Sequence, residues 1–226
     1  MKRFWLCVLA LGLSACTPPL APAAKAAEPN IQNWKTPNSM GCMMVRACKD
    51  KTERITSWKD LGSGYEKYAY ELSTIFDASN KIGIKVYLAA DKYFTPQTRG
   101  LYNVKGNNLF INRKYLDNNQ LIVEVIRHEG WHAVQDCMAG SVNNNMTAIV
   151  WPKEKIPSWV REGAKSDYAD APVSIPYEAE ARWAAHSNYE TADGLKTCAN
   201  PTVKMWERYP PIRSTAAWLL KNGYLR

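Results

Sequence analysis

The segment RHEGWHAVQDC, Arg127 to Cys137, carries two of the chain's three histidines, His128 and His132, four residues apart with Glu129 beside the first. On a helix, positions i and i+4 lie one turn apart on the same face, so both imidazoles can reach a single divalent ion. Glu129 leaves the helix about a quarter-turn away, which brings its carboxylate to a water on that ion without making it a ligand. These residue types at this spacing suit hydrolysis. Zinc lowers the pKa of a bound water to about 7 and polarises a carbonyl, while a neighbouring carboxylate takes the water's proton and passes it to the leaving amine. The expected cofactor is therefore Zn2+ and the expected general base is Glu129. The same two histidines also continue an apolar stripe, Leu121, Val125, His128 and His132 at i, i+4, i+7 and i+11, so a buried helix without metal would use the same letters.

The elements that position this segment follow from periodicity. Tyr65, Tyr68, Leu72 and Ile75 or Phe76 recur at helical spacing and predict a helix over 63–78. KIGIKVYLAA, 81–90, alternates β-branched residues as a strand does, a polar loop follows, and NNLFINRKYL, 107–116, opens with a short strand. Asp117 is placed to cap a long helix running to Met138, with Gly140 ending it. A loop-rich stretch, 141–174, holds a short helix at 157–164; Pro176 suits the first turn of a helix over 176–190; a last helix starts near Pro211 and ends at Gly223. Strands precede helices rather than alternating with them, which predicts an α+β fold.

HEGWH matches the HExxH helix of the zincin metalloproteases, and the order strand, helix, loop, second helix is similar to their catalytic domain; the resemblance covers roughly 107–189. It implies a small β-sheet, an active-site helix and a second ligand-bearing helix. The longer metzincin pattern is absent, because Gln135 stands where glycine belongs and Met138 where a third histidine belongs. The third ligand therefore comes from Asp136, Glu178, Glu180 or His186. PYEAEARWAA, from Pro176, resembles the E-x-E-A segment of the gluzincin group, in which the first glutamate binds metal, so the resemblance implies Glu178. Glu178, Ala181 and Ala185 also share one helix face whose small residues allow close packing on the HEGWH helix. Glu180 points with Trp183, Ala184 and Ser187. Thermolysin-like members carry an aspartate four residues after that glutamate to orient a histidine; here the position is Arg182, and the orienting group is left open. Candidates to stabilise an oxyanion are His186, Tyr189 and Tyr177.

At 226 residues the chain suffices for one sizeable domain, placed at 31–226. Residues 1–16, MKRFWLCVLALGLSAC, have a basic start, a short apolar run and small residues, the layout of an export signal. Leu13-Ser14-Ala15-Cys16 resembles the bacterial lipobox, which implies lipidation at Cys16; cleavage after Ala24-Lys25-Ala26 is the rival. Residues 17–30, rich in Pro and Ala, read as a tether. The formal charge is +8, or +6 without Lys2 and Arg3, with basic residues scattered, so no nucleic-acid surface is expected. Beyond the leader stand Cys42, Cys48, Cys137 and Cys198, an even number that suits an oxidising compartment. Of three connectivities, Cys42 with Cys48 and Cys137 with Cys198 is favoured because the second pair staples the HEGWH helix to the chain beyond the acidic helix; four thiolates around a second zinc is the runner-up.

The function expected is an exported zinc metallopeptidase acting on protein or peptide, periplasmic or anchored at the outer membrane, meeting membrane only through its lipid. A non-catalytic envelope lipoprotein with a structural or vestigial metal site is the alternative, and a zinc hydrolase of cell-wall amides a third.

Overall fold

Tyr87 and Phe110 face each other across two neighbouring strands and stack at 5.4 Å between ring centroids. Their neighbours Val86, Leu88, Leu109 and Ile111 point the other way, so the sheet buries both faces. The computed structural model describes residues 42–43, 52–143, 146–200 and 212–213. The signal segment with Cys16, the tether, Cys48 and most of the expected last helix lie outside them.

The sheet is mixed and four-stranded. β1 (Glu53–Ile55), β2 (Lys85–Ala89), β3 (Gly100–Asn103) and β4 (Asn108–Asn112) lie in the order β1-β2-β4-β3, with only β2 and β4 parallel. β3 is thus an edge strand. One sheet face packs on the helices through Val86, Leu88, Tyr102, Leu109 and Ile111. The other is closed by Tyr93, Phe94, Cys42 and Met43. Five described helices complete an α+β fold: α1 (Ala69–Ile82), α2 (Asn119–Met138), α3 (Ser158–Asp167), α4 (Ile175–His186) and α5 (Glu190–Cys198). Among the described residues no helix is long and apolar enough to cross a membrane.

Several boundaries differ from the sequence expectation, each for a local reason. The first helix begins later and runs into the expected strand until Gly83, left-handed at φ 89°, caps it, and β2 begins only at Lys85. Asn118 rather than Asp117 caps α2, its side chain accepting from Leu121 N at 3.1 Å. The helix expected over 176–190 is two: Ser187 turns extended, Tyr189 takes φ 66°, and α5 starts afresh. Ile212–Arg213, expected at the start of the last helix, form instead strand β6, antiparallel to β5 (Ala148–Ile149).

α2 is the axis of the domain, buried along nearly its whole length. Gly130 lets α5 lie against it: a β-carbon there would meet Thr191 Cγ2 at 2.7 Å, and one at Gly194 would meet Val134 Cγ2 at 2.8 Å. Cys137 and Cys198 form a disulfide that joins the ends of the same two helices, the pairing favoured among the three connectivities. Cys42 is also disulfide-bonded, and Cys48, its expected partner, lies outside the described residues.

Arg127, the residue before the first histidine, ties α2 to two other elements. Its Nε and Nη2 donate to Glu71 of α1 at 2.8 and 2.7 Å, and Nη2 also donates to Asn188 Oδ1 at 2.7 Å. Glu71 in turn accepts from the Tyr189 amide at 3.0 Å, holding the left-handed corner between α4 and α5. Arg127 and Glu71 are both buried, so removing one strands the other's charge. Arg127→Ala is expected to lower unfolding free energy by about 3–5 kcal/mol in urea titrations. A change below about 1 kcal/mol would show that the corner stands without this pair.

Candidate metal centre

His128 and His132 project one turn apart from α2, their rings 4.9 Å between centroids and nearly perpendicular, toward Glu178 on α4. The approach of α4 follows from its composition: Ala181, Ala184 and Ala185 are buried, and such short side chains let the two helices come close. Glu178 Oε2 lies 3.3 Å from His128 Nε2, and Oε1 lies 3.5 Å from His132 Nε2. Ligands about 2.0–2.2 Å from a tetrahedral ion stand about 3.4 Å from one another. Both His–Glu separations are close to that value, and His132 Nε2 has no hydrogen-bond partner. Their ligating atoms lie within 4.8 Å of one another, and this is the one cluster of three or more potential ligands found among the described residues.

The protonation of His132 is fixed by a chain of bonds. Gln135 Nε2 donates to the Tyr177 carbonyl at 3.0 Å and to Glu180 Oε2 at 2.8 Å, so its other amide atom, Oε1, can only accept. That oxygen is 2.8 Å from His132 Nδ1, which must therefore carry the proton. Nε2 is left as a bare lone pair aimed at Glu178, the tautomer that metal ligation requires. Burial pushes the pKa of His128 down to about 3, helped by the charges of Arg182 and His186. Burial likewise holds His132 down at about 4, against the pull of Glu178. Both rings are neutral at neutral pH, so a divalent ion displaces no proton from them. Burial raises the Glu178 pKa, opposed first by His132, then by the Tyr168 hydroxyl and the Arg182 charge.

Glu129 sits at the inner end of the same turn, fully buried, against β3. Gly100 makes the room: a β-carbon there would lie 2.7 Å from Glu129 Cγ and 2.6 Å from Val125 Cγ1. A side chain on the strand at this point would push the carboxylate out of place.

The rival ligands separate cleanly. Glu180 Oε1 accepts from the backbone amides of Val150 and Trp151 at 2.8 and 2.6 Å, and Oε2 from Gln135 Nε2 and from Trp131 Nε1, the latter at 3.3 Å. Burial still pushes its pKa up to about 7, with the four donors acting in the other direction. Its acceptor capacity is spent on positioning Gln135 and the stacked pair Trp131 and Trp151, 3.9 Å apart. His186 lies on the exposed side of α4 beside Trp159.

Asp136 turns away toward β3, where Tyr102 donates to its Oδ2 at 2.7 Å. Its Oδ1 is buried without a hydrogen bond, and burial pushes its pKa up to about 7 although Tyr102 pulls it down. Because the folded value lies above the unfolded one, the stabilisation tied to this group is complete below about pH 4 and lost as pH rises to about 7. Asp136→Asn removes the titration. Relative to wild type it is expected to gain stability between pH 5 and pH 8, on the order of 1–3 kcal/mol in urea unfolding; parallel curves would contradict the assignment.

Of the residues proposed to steady an oxyanion, Tyr177 is buried, with Thr147 as a hydrogen-bonding partner and a pKa pushed up by burial to about 12. Tyr189 packs edge-on against Tyr70, largely exposed. Neither joins the cluster. Tyr168 and Gln135 are the residues that sequence reasoning missed. Gln135 stood three residues after His132, where its helix position was a usable signal; Tyr168, at the end of α3, had none. No protein-family model, curated protein or solved structure matches the chain.

Proposed function

We propose that the chain is an exported zinc metallopeptidase with a zincin-like catalytic core, in which His128, His132 and Glu178 hold the metal and Glu129 is the general base. The observation that carries this reading is the convergence of two imidazole nitrogens and one carboxylate within 4.8 Å of one another, with Glu129 next to His128 in the same helix turn. Zinc, when bound, supplies Lewis acidity toward a peptide carbonyl and acidity to a coordinated water. The chain's own part is to hold and move the proton: Glu129 Oε1 or Oε2 takes it from the attacking water and delivers it to the departing amine. Gln135 keeps His132 in its ligating tautomer, and Tyr168 and Arg182 bias Glu178 toward its charged form. Export is supported by the leader-like first sixteen residues and by the Cys137–Cys198 disulfide. The substrate proposed is a protein or peptide.

A second reading has one observation in its favour: His128, Glu129 and Glu178 are fully buried and His132 is 2 % exposed. Such closure suits a metal that braces α2 against α4 and does no chemistry. Metal analysis of the purified protein, with peptide cleavage assayed before and after chelation, separates the two. The catalytic reading expects one zinc per chain, cleavage that stops with chelator and returns with zinc. One tightly held zinc with no cleavage of any peptide in a mixed library supports the bracing role, and absence of metal sinks both.

A further inference from the structure

We propose that Arg182 recognises a carboxylate of the substrate, so that the peptide cleaved presents a free C-terminus or an acidic side chain close to the scissile bond; this rests on the metallopeptidase reading above. Arg182 follows Glu178 by one turn of α4 and therefore lies on the same side of the helix as the metal ligand. Its guanidinium carbon is 5.5 Å from the centre of the Tyr168 ring, whose hydroxyl reaches the Glu178 carboxylate. The cation thus stands next to the cluster and apart from it.

Its hydrogen bonding is incomplete. Nη2 meets Asp167 Oδ2 at 2.9 Å as an ion pair, whereas Nε is buried without a hydrogen bond. The two glutamates of the same helix cannot supply another acceptor. Glu178 faces the two histidines, and Glu180 is filled by four other donors. A buried guanidinium N–H left without an acceptor is costly, so an acceptor arriving at this edge of Arg182 is favoured. A guanidinium edge offers two parallel N–H groups, the match for a planar carboxylate.

Exposure adds direction. The metal ligands are sealed, whereas the Arg182 side chain is 13 % exposed and its Asp167 partner 30 %. Space exists on the α3 side as well, where a β-carbon at Gly163 would rest in ordinary contact 3.5 Å from Arg182 Nη1. Arg182 therefore spans the boundary between solvent and the buried cluster, where an arriving anionic group would first be held. Asp167 neutralises the cation while no substrate is present, which keeps its charge from repelling the metal ion, and a substrate carboxylate would share or replace it.

The test uses binding, so that it does not depend on turnover. Zinc-loaded Glu129→Gln protein is titrated by calorimetry with three probes: acetyl-tetra-alanine with a free C-terminus, the same peptide amidated, and an amidated version with one glutamate. The free acid or the glutamate peptide is expected to bind roughly 10- to 100-fold more tightly than the neutral amide, the factor that a charge-assisted hydrogen bond supports. Which of the two binds tells whether the terminus or a side chain is read. Adding Arg182→Gln is expected to bring the tighter peptide down to the affinity of the amide, and Arg182→Lys to leave an intermediate preference, since it keeps charge and loses the fork. Equal affinity of all three peptides for the Arg182-containing protein overturns the proposal whatever the variants do. Selective binding of an acidic peptide that wild-type protein never cleaves leaves the carboxylate site standing and removes the peptidase reading instead.

Discussion

Glu129→Gln protein is expected to bind one zinc as tightly as wild type and to hydrolyse peptides about 100- to 10,000-fold more slowly, the factor that a positioned general base contributes. The expectation of retained metal comes from geometry: Glu129 is not among the three residues whose ligating atoms converge. The expectation of retained fold comes from shape. Glutamine keeps every carbon of glutamate, so the contact of Cγ with the bare backbone of Gly100 is preserved and the stability should stay within about 1 kcal/mol of wild type. What changes is the ability to accept a proton at neutral pH. Metal stoichiometry, urea midpoint and kcat measured on one preparation decide the matter. Wild-type turnover in the variant would remove Glu129 from the mechanism, and loss of zinc would make it a ligand.

The parts of this site that could be read from sequence are those set within one helix. His128, Glu129 and His132 depend only on α-helical periodicity, and any sequence that folds there as a helix brings them together. Glu178 required more, since its meeting with α2 depends on the tertiary packing of two helices; small alanines and a motif likeness pointed to it, and the observed distances of 3.3 and 3.5 Å place it there. Tyr168 was invisible because it reaches Glu178 from a separate helix through a loop whose path no local pattern encodes. The sheet shows the same division. β2 and β4 carry alternating β-branched and aromatic residues and were legible, whereas β1, β3 and β5 have two to four residues each, too few for alternation to declare itself. The break at Ser187–Tyr189 escaped for a related reason. It is held by the Tyr189 amide bonding to Glu71, 118 residues away in sequence, so nothing nearby in the chain announces it.

Two glutamates two positions apart in sequence are expected to fail in opposite ways. Glu178→Ala takes away a proposed ligand, so zinc affinity should fall by more than about 100-fold, beyond what loss of a supporting residue causes. The metal-free fold should survive at a cost of about 1–3 kcal/mol, because the substitution removes a buried charge that faces two neutral imidazoles and strands a single donor, the Tyr168 hydroxyl. Glu180→Ala leaves four donors buried without an acceptor: the amides of Val150 and Trp151, the Gln135 amide and the Trp131 indole. At about 1–3 kcal/mol for each orphaned group, even partial relaxation leaves a loss of about 4 kcal/mol, a large share of the stability of an ordinary domain. The damage spreads to the metal by a traceable route. Without Glu180, Gln135 is held by the Tyr177 carbonyl alone, its amide can turn, and His132 is no longer bound to protonate at Nδ1. Zinc affinity should then drop by about 10- to 100-fold, less than for Glu178→Ala. Urea unfolding in the presence of chelator, followed by zinc titration of each refolded variant, orders the two effects. A Glu180→Ala protein of wild-type stability that cannot bind zinc would move the metal to Glu180 and reverse the roles assigned to the pair.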